Sequence, residues 1–214
     1  MFAVIFEVVP KESRWEDYLG YAKALKPELE KIEGFLDNER FESRSRKGRL
    51  LSLSLWRDEK AVIRWRTLEH HHKVQEKGRF EVFEDYHLRV GEVTADTDPL
   101  KGQRLAQQRL DETEIGAAKA VTISQWSSAD ADLRLPRNGE EGLVAHEVFE
   151  SITSKGKLLL LASWRDGATA AGWHPAKAAG KAPRHLQVRI IRDYGMFDRR
   201  EAPQYYPAVS RESS

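Results

Sequence analysis

Phe41-Glu42-Ser43 … Gly48-Arg49-Leu50-Leu51 … Trp56-Arg57-Asp58 … Trp65 returns downstream as Phe149-Glu150-Ser151 … Gly156-Lys157-Leu158-Leu159 … Trp164-Arg165-Asp166 … Trp173. The offset is constant, 149 − 41 = 108 and 173 − 65 = 108, and Gly34-Phe35 keeps it with Gly142-Leu143. Chance does not hold Trp, Arg, Asp and Gly in register over such a stretch, so the chain is an internal duplication. The period far exceeds that of solenoid repeats, which makes each copy a whole fold unit.

The first copy supplies the element order. Phe2 to Val9, rich in Val, Ile and Phe and closed by Pro10, reads as a strand. Ser13-Arg14-Trp15-Glu16 fits a capping box that opens a helix with Tyr18, Tyr21, Ala22, Leu25, Leu29 and Ile32 on one face. Pro27 predicts a kink in it, and Gly34 ends it. Phe35 to Ser43 and Arg49 to Trp56 form a hairpin about Lys47-Gly48. Asp58 caps a second helix, with Ala61, Val62, Trp65 and Leu68 on one face, that runs through His70-His71-His72 towards Gly78. A strand from about Tyr86 to Val93 completes β-α-β-β-α-β, the ferredoxin-like split unit, with helices on one sheet face only.

The second copy is reduced. Its strands fall at Lys119 to Gln125, Leu143 to Ser151, Lys157 to Trp164 and Arg184 to Arg192, whereas the segment before Gly142 is short, polar and holds Pro136. Its first helix is therefore shortened or lost, and Pro175 curtails the second. The expected organisation is a first repeat over 1–95, a charged linker over 96–117 with helix near Gln103 to Leu110, a second repeat over 118–200 and a tail over 201–214. Pro203 to Pro207 reads as an extended arm. Two open sheet faces must be buried, so the fold class is α+β, two ferredoxin-like repeats closing one intramolecular dimeric α/β barrel. Small-molecule space then lies inside the half-barrels or between sheet and helices.

Composition limits function. The net charge of +1 gives no reason to expect nucleic acid as a partner. No apolar run reaches a membrane span, and the N-terminus lacks a signal-peptide pattern. With no cysteine there is no disulfide, thiolate metal site or cysteine nucleophile, which suits the cytoplasm. No phosphate-binding glycine loop, nucleophile elbow or zinc spacing appears. A homodimer is compatible with the sequence.

Leu50 to Val62, with Gly34-Phe35, Phe41-Glu42-Ser43, Trp65-Arg66 and the His70 to Gln75 stretch, resembles the antibiotic-biosynthesis-monooxygenase family. Ile191-Arg192-Asp193-Tyr194-Gly195 resembles the end of a single-domain member. The resemblance covers most of 2–95 and, less closely, 118–200. It implies a dimeric α/β barrel. Some relatives oxidise polycyclic phenols with molecular oxygen and no metal or flavin, the substrate's phenolate supplying the electrons. Others bind and cleave haem. The haem-degrading relatives use an Asn on the first strand and a Trp and a His around the second helix; this chain has Trp65 and the histidines at 70–72, and no Asn between Phe2 and Val9. The expectation is a cofactor-independent monooxygenase binding or oxidising a flat hydrophobic, aromatic or quinone-like molecule. The alternatives are a haem-binding or haem-degrading barrel and a ligand-binding scaffold, and the pocket is expected in the first copy.

Candidate residues follow, each beside its plainer reading. Trp65 matches a tryptophan placed near substrate in some relatives, and Trp56, like Trp65, offers an aromatic wall; both are also ordinary core, since Trp164 and Trp173 repeat them. His70, His71 and His72 point about 100° apart on a helix and cannot share one metal, so no metal site is expected. His71 suits a proton acceptor and His72 a substrate contact; a solvated helix end is the plain reading. Asn38 and Arg40 share one face of their strand, expected to face the barrel interior, with His146 the counterpart of Asn38. Glu7, in an apolar strand, is a buried base or a strand-end carboxylate. Arg89 is an oxyanion holder or a salt-bridge partner of Glu7 or Glu39, and His87 lies two residues before it on the same strand face.

Overall fold

The structure, a computed structural model, describes residues 1–127, 133, 135–137, 139–175 and 182–210. β1 (Phe2–Pro10), α1 (Trp15–Leu29), β2 (Phe35–Ser43), β3 (Leu50–Trp56), α2 (Glu59–Thr67), α3 (Glu69–Lys77) and β4 (Phe83–Asp96) form the first half. The second half contains β5 (Ala120–Trp126), β6 (Leu143–Ser151), β7 (Leu158–Trp164), α4 (Gly167–Gly172) and β8 (Arg184–Gly195). The eight strands close into one antiparallel barrel in the order β1-β3-β2-β6-β7-β5-β8-β4.

Local signals explain most boundaries. Asp58 caps α2 by accepting from the Ala61 N–H at 2.8 Å, and Asp166 caps α4 from Thr169 at the same distance. Four expectations need correction. Ser13 is not the α1 cap, because a 3-10 turn over Glu12–Arg14 carries the chain in and α1 begins at Trp15 with no side-chain cap. The second helix is not continuous: Leu68 adopts extended geometry (φ −61°, ψ 127°), splitting it into α2 and α3 and letting His71 fold back on Trp65. A π-turn over Gly78–Val82 then leads into β4. The segment near Gln103 to Leu110 is not helical. Asn38 and Arg40 do not face the barrel interior, because Phe41 does, and alternation sends them to the helix side.

The register dates the losses in the second half to two places. Phe2 and Ala120 both pair with the tryptophan ending the neighbouring strand, Trp56 and Trp164. From there to the start of the next strand the chain needs 35 − 2 = 33 residues in the first half and 143 − 120 = 23 in the second. The shorter path has no helix among the described residues. From the tryptophans to the residues facing Phe2 and Ala120 on the last strands, Glu92 and Arg189, the counts are 92 − 56 = 36 and 189 − 164 = 25. Among the described residues that path keeps only the six-residue α4.

Met1, Ala3, Ile5, Phe41, Leu51, Leu53, Val121, Ile123, Phe149, Leu159 and Leu161 point inward and fill the barrel with a continuous apolar core. Two seams join the halves. At one, Phe41, Glu42 and Ser43 pair with Ser151, Glu150 and Phe149, so Glu42 meets its own counterpart 108 residues on and the flanking pairs exchange across a local two-fold axis. Ser43 donates to Glu147 at 2.5 Å, and Ser151, its counterpart, donates to Glu39 at 2.7 Å. At the other seam Glu92 faces Arg189 and pairs with it at 2.7 Å. Two identical chains would place like residues there; one chain can place opposite charges. Gly91 lies at this seam, where an added Cβ would sit 2.4 Å from the Arg189 carbonyl oxygen. Gly91→Ala should therefore destabilise the barrel by about 1–3 kcal/mol. Gly20→Ala, exposed in α1 with open space around it, should be neutral or stabilising. Urea denaturation of both variants checks the contrast.

Candidate functional site

Between the outer sheet face of the first half and its helices lies a mostly apolar cavity of about 200 Å³. Its floor follows from register. Asn38, Ser54, Val4, Val90 and Arg192 form one row across β2, β3, β1, β4 and β8, and Arg40, Ser52, Phe6, Leu88 and Tyr194 form the next. Four strand spacings make each row about 19 Å along the sheet. The rows are polar at both ends and apolar in the middle. Tyr18, Tyr21 and Leu25 of α1, Val62, Trp65 and Arg66 of α2, and His71, Val74 and Gln75 of α3 form the roof. Pro203 of the C-terminal arm closes one edge.

Asn38, Arg40, Trp65 and His71, singled out from sequence, thus meet at one cavity. His71 is the best-defined of them. Its ring stacks on Trp65, with centroids 4.0 Å apart and planes 18° apart, and Nδ1 lies 2.8 Å from the Trp65 carbonyl oxygen. A carbonyl only accepts, so Nδ1 carries the proton and Nε2 keeps its lone pair. Nε2 has only Gln75 Nε2 nearby, at 3.5 Å. Burial pushes the imidazole down to about 4, against the pull of the Trp65 carbonyl, so it is neutral at neutral pH. Asn38 donates to Ser52 Oγ at 3.0 Å and to the Leu53 carbonyl at 3.1 Å. Arg40 hydrogen-bonds the Tyr18 hydroxyl.

The other candidates lie elsewhere. Trp56 is fully buried, donates to Ser54 at 2.9 Å and packs on Phe35; it supports the floor from the core and does not line the cavity. His72 turns away to Tyr206 and Gln204 of the arm, at 3.1 and 3.2 Å, and His70 bonds Glu28. The three histidines diverge, and no group of three or more His, Asp or Glu side chains could hold a metal among the described residues.

Glu7, Arg89, His87 and His146 line a second, more polar hollow of about 470 Å³ at one mouth of the barrel. There Arg89 donates to Glu7 at 2.6 Å and to Ser163 of the second half at 2.8 Å. Arg49 reaches Glu7 at 2.6 Å and Glu147 at 3.2 Å. Burial pushes the Glu7 carboxyl up, but Arg89, His87 and Arg49 outweigh it and hold it well below the usual carboxylate range. Burial likewise pushes His87 down, and its bonds to Asp193 and Glu7 win, leaving it raised. Arg89 is therefore the salt-bridge partner of Glu7, and the pair lies at the hollow that His87 and His146 also line.

The cavity residues that sequence reasoning missed are Tyr18, Arg66, Arg192 and Tyr194. Arg192 and Tyr194 come from the second half, and only the β4–β8 pairing reveals them as neighbours of Val90 and Leu88. In the second half the matching space is filled: Trp173, counterpart of Trp65, is buried against Trp164 at 5.9 Å and His185 at 5.9 Å.

An antiparallel eight-stranded barrel with a helix-roofed, aromatic-lined cavity agrees with the comparisons to known proteins. The chain belongs to the antibiotic biosynthesis monooxygenase family, whose model matches residues 1–77. It is 46% identical over 222 residues to the Jasmonate monooxygenase ABM of Pyricularia oryzae, covering 98% of this chain and 100% of that relative. Two aldoxime dehydratase structures, one in complex with butyraldoxime, share the fold. Their TM-scores are 0.54 and 0.55, at 12% and 11% identity, over 89% of this chain and 81% and 79% of theirs. No described helix is long and apolar enough to cross a membrane.

Replacing Glu7 leaves Arg89, 3% exposed, without its carboxylate. Glu7→Gln should cost about 3 kcal/mol at pH 7 in a denaturant titration. Because the folded value of Glu7 is depressed, its contribution is present above 4.5 and disappears as pH falls below it. Wild-type melting temperature should thus drop more steeply on acidification than that of the variant.

Proposed function

We propose that this chain is a cofactor-independent monooxygenase that oxidises a small apolar molecule held between the first-half sheet and its helices. The observation that carries the reading is His71: neutral, fixed in one tautomer, with its Nε2 lone pair at an apolar cavity. Such a group accepts a proton from a weakly acidic C–H or O–H of the substrate. Arg40, beside Asn38, is the cation on hand for the resulting anion. The anion reduces dioxygen; one oxygen atom enters the substrate and the other leaves as water. When an activated CH2 becomes a carbonyl, the substrate itself supplies all the electrons, and no external reductant enters the balance.

Two substrate classes have support. The relative's name makes jasmonate the first molecule to try, and a compact alicyclic acid suits an apolar cavity with cations at its ends. The near-parallel Trp65–His71 stack offers a flat wall, which favours an aromatic or quinone-like ring. Haem is the poorer fit, since only one of the three histidines, His71, lines the cavity.

Oxygen uptake with jasmonate and with an anthrone-type phenol tests the reading. His71→Ala should lower kcat at least about 100-fold, while substrate binding changes little. The wild-type kcat profile should be flat near neutrality and fall on acidification with a midpoint near about 4, as Nε2 protonates. No uptake with either substrate class, or a His71→Ala enzyme with full kcat, refutes the assignment. Ferric haem should give no saturable Soret shift that depends on the histidines.

A further inference from the structure

The charges around the cavity do not balance at its β8 end. Arg66 and Arg192 line that end, and the carboxylate that lines the cavity is Glu59; the other lining cations lie elsewhere, Arg40 on β2 and Lys26 on α1 with Glu30 as its ion-pair partner at 3.8 Å. Glu59 is already held by Arg109 at 2.6 Å. Asp111, whose field reaches Arg192, is held by the same Arg109 through two hydrogen bonds. One arginine thus occupies both nearby acids, and among the described residues neither Arg66 nor Arg192 has an ion pair. The Nε of Arg66 is buried without a hydrogen-bond partner.

Arg66 of α2 and Arg192 of β8 line the cavity together with Tyr194, whose hydroxyl lies within the fields of Arg199, Arg66 and Arg192; Arg199 lies over the Tyr194 ring at 5.5 Å and is already bonded to the Tyr86 hydroxyl and the Gln204 carbonyl. Burial pushes the Tyr194 phenol up to about 12, so it stays neutral and able to donate. The opposite end differs: Arg40 is a single cation with a neutral hydrogen-bonding partner, Tyr18. The neutral phenol adds a hydrogen-bond donor, and the two guanidinium groups beside apolar walls repel each other and lack an anion. A carboxylate supplies it, because the planar fork of arginine matches two carboxylate oxygens.

We propose that Arg66 and Arg192, with the Tyr194 hydroxyl, form a carboxylate subsite, so that the substrate is an amphipathic monocarboxylic acid bound acid-end towards β8. The apolar body then lies over Leu88 and Val90, beneath Trp65 and His71. This rests on the cavity being the substrate site and adds the polarity of the substrate and the direction in which it lies. It also makes the site composite: Arg192 and Tyr194 belong to the second half, which supplies recognition as well as closing the barrel.

The experiment is calorimetric titration of the full chain with jasmonic acid and with its methyl ester, which share one body and differ in the charge. The acid should bind at least about tenfold more tightly, and salt should weaken the acid only. Arg192→Met and Arg66→Met should each erase the preference while leaving ester affinity as it was, the ester serving as the check on folding. Arg40→Met should keep the preference and lower kcat. Equal wild-type affinity for acid and ester, or a preference that survives both Met variants, overturns the subsite while the cavity assignment stands. Absence of binding by both compounds overturns the subsite and, if an anthrone-type phenol also fails to bind, the cavity assignment with it.

Discussion

Each half of the chain ends its sheet on strands whose free backbone edges only the other half can pair, and closure of the barrel depends on those two seams. The β4–β8 seam is long and the β2–β6 seam is three residue pairs wide. The short seam is reinforced by side chains: Ser43 with Glu147, Ser151 with Glu39, and the cations Arg49 and Lys157 on the same two carboxylates. These contacts are reciprocal because the halves are copies. The Glu92–Arg189 pair is not reciprocal, and duplication within one chain is what permits it. A closed sheet leaves no edge for association with foreign strands.

Closure also decides where a ligand can go. The barrel interior is filled by Leu, Ile, Val and Phe from both halves, so small-molecule space moves outward, beneath helices that do not press flat on the sheet. The first half keeps α1, α2 and α3, and the break at Leu68 turns His71 back towards Trp65. The second half has lost about twenty residues of helical path by the register, and Trp126, Trp164 and Trp173 pack into the corresponding volume. One copy thus keeps a cavity and the other becomes a packed wall, while β8 lends its outer face to the cavity floor.

The two polar regions answer to different physics. At the barrel mouth Glu7, Arg49, Arg89 and Glu147 satisfy one another, and such a buried network fixes geometry more than it adds net stability. In the cavity the polar groups stand apart, at the two ends of an apolar span, and among the described residues Arg66 and Arg192 are in no ion pair. Unsatisfied groups beside an apolar space mark where binding energy is available.

Much of this was legible in the residues. The offset of 108 determined the duplication, the alternation of Val, Ile and Phe determined the strands, and Asp58 determined a helix start. Trp65, His71, Asn38 and Arg40 were singled out as polar or aromatic breaks in those patterns, and they share one cavity. What the sequence could not separate was a pair such as Glu7 and Arg89, which bond each other at a barrel mouth, from the polar groups under the first-half helices, because both appear as charges in apolar strands. Nor could it choose the face of Asn38 and Arg40, since alternation gives two faces and only burial of Phe41 says which is inside. Arg192 and Tyr194 reach the cavity floor by strand pairing with residues about a hundred positions away, and Arg66 meets them there only through the packing of α2 over the sheet. Sequence by itself determined local elements and the repeat, which depend on short-range sterics and hydrogen bonding; tertiary structure alone decided which side chains share a cavity, because that depends on how the two copies close on each other.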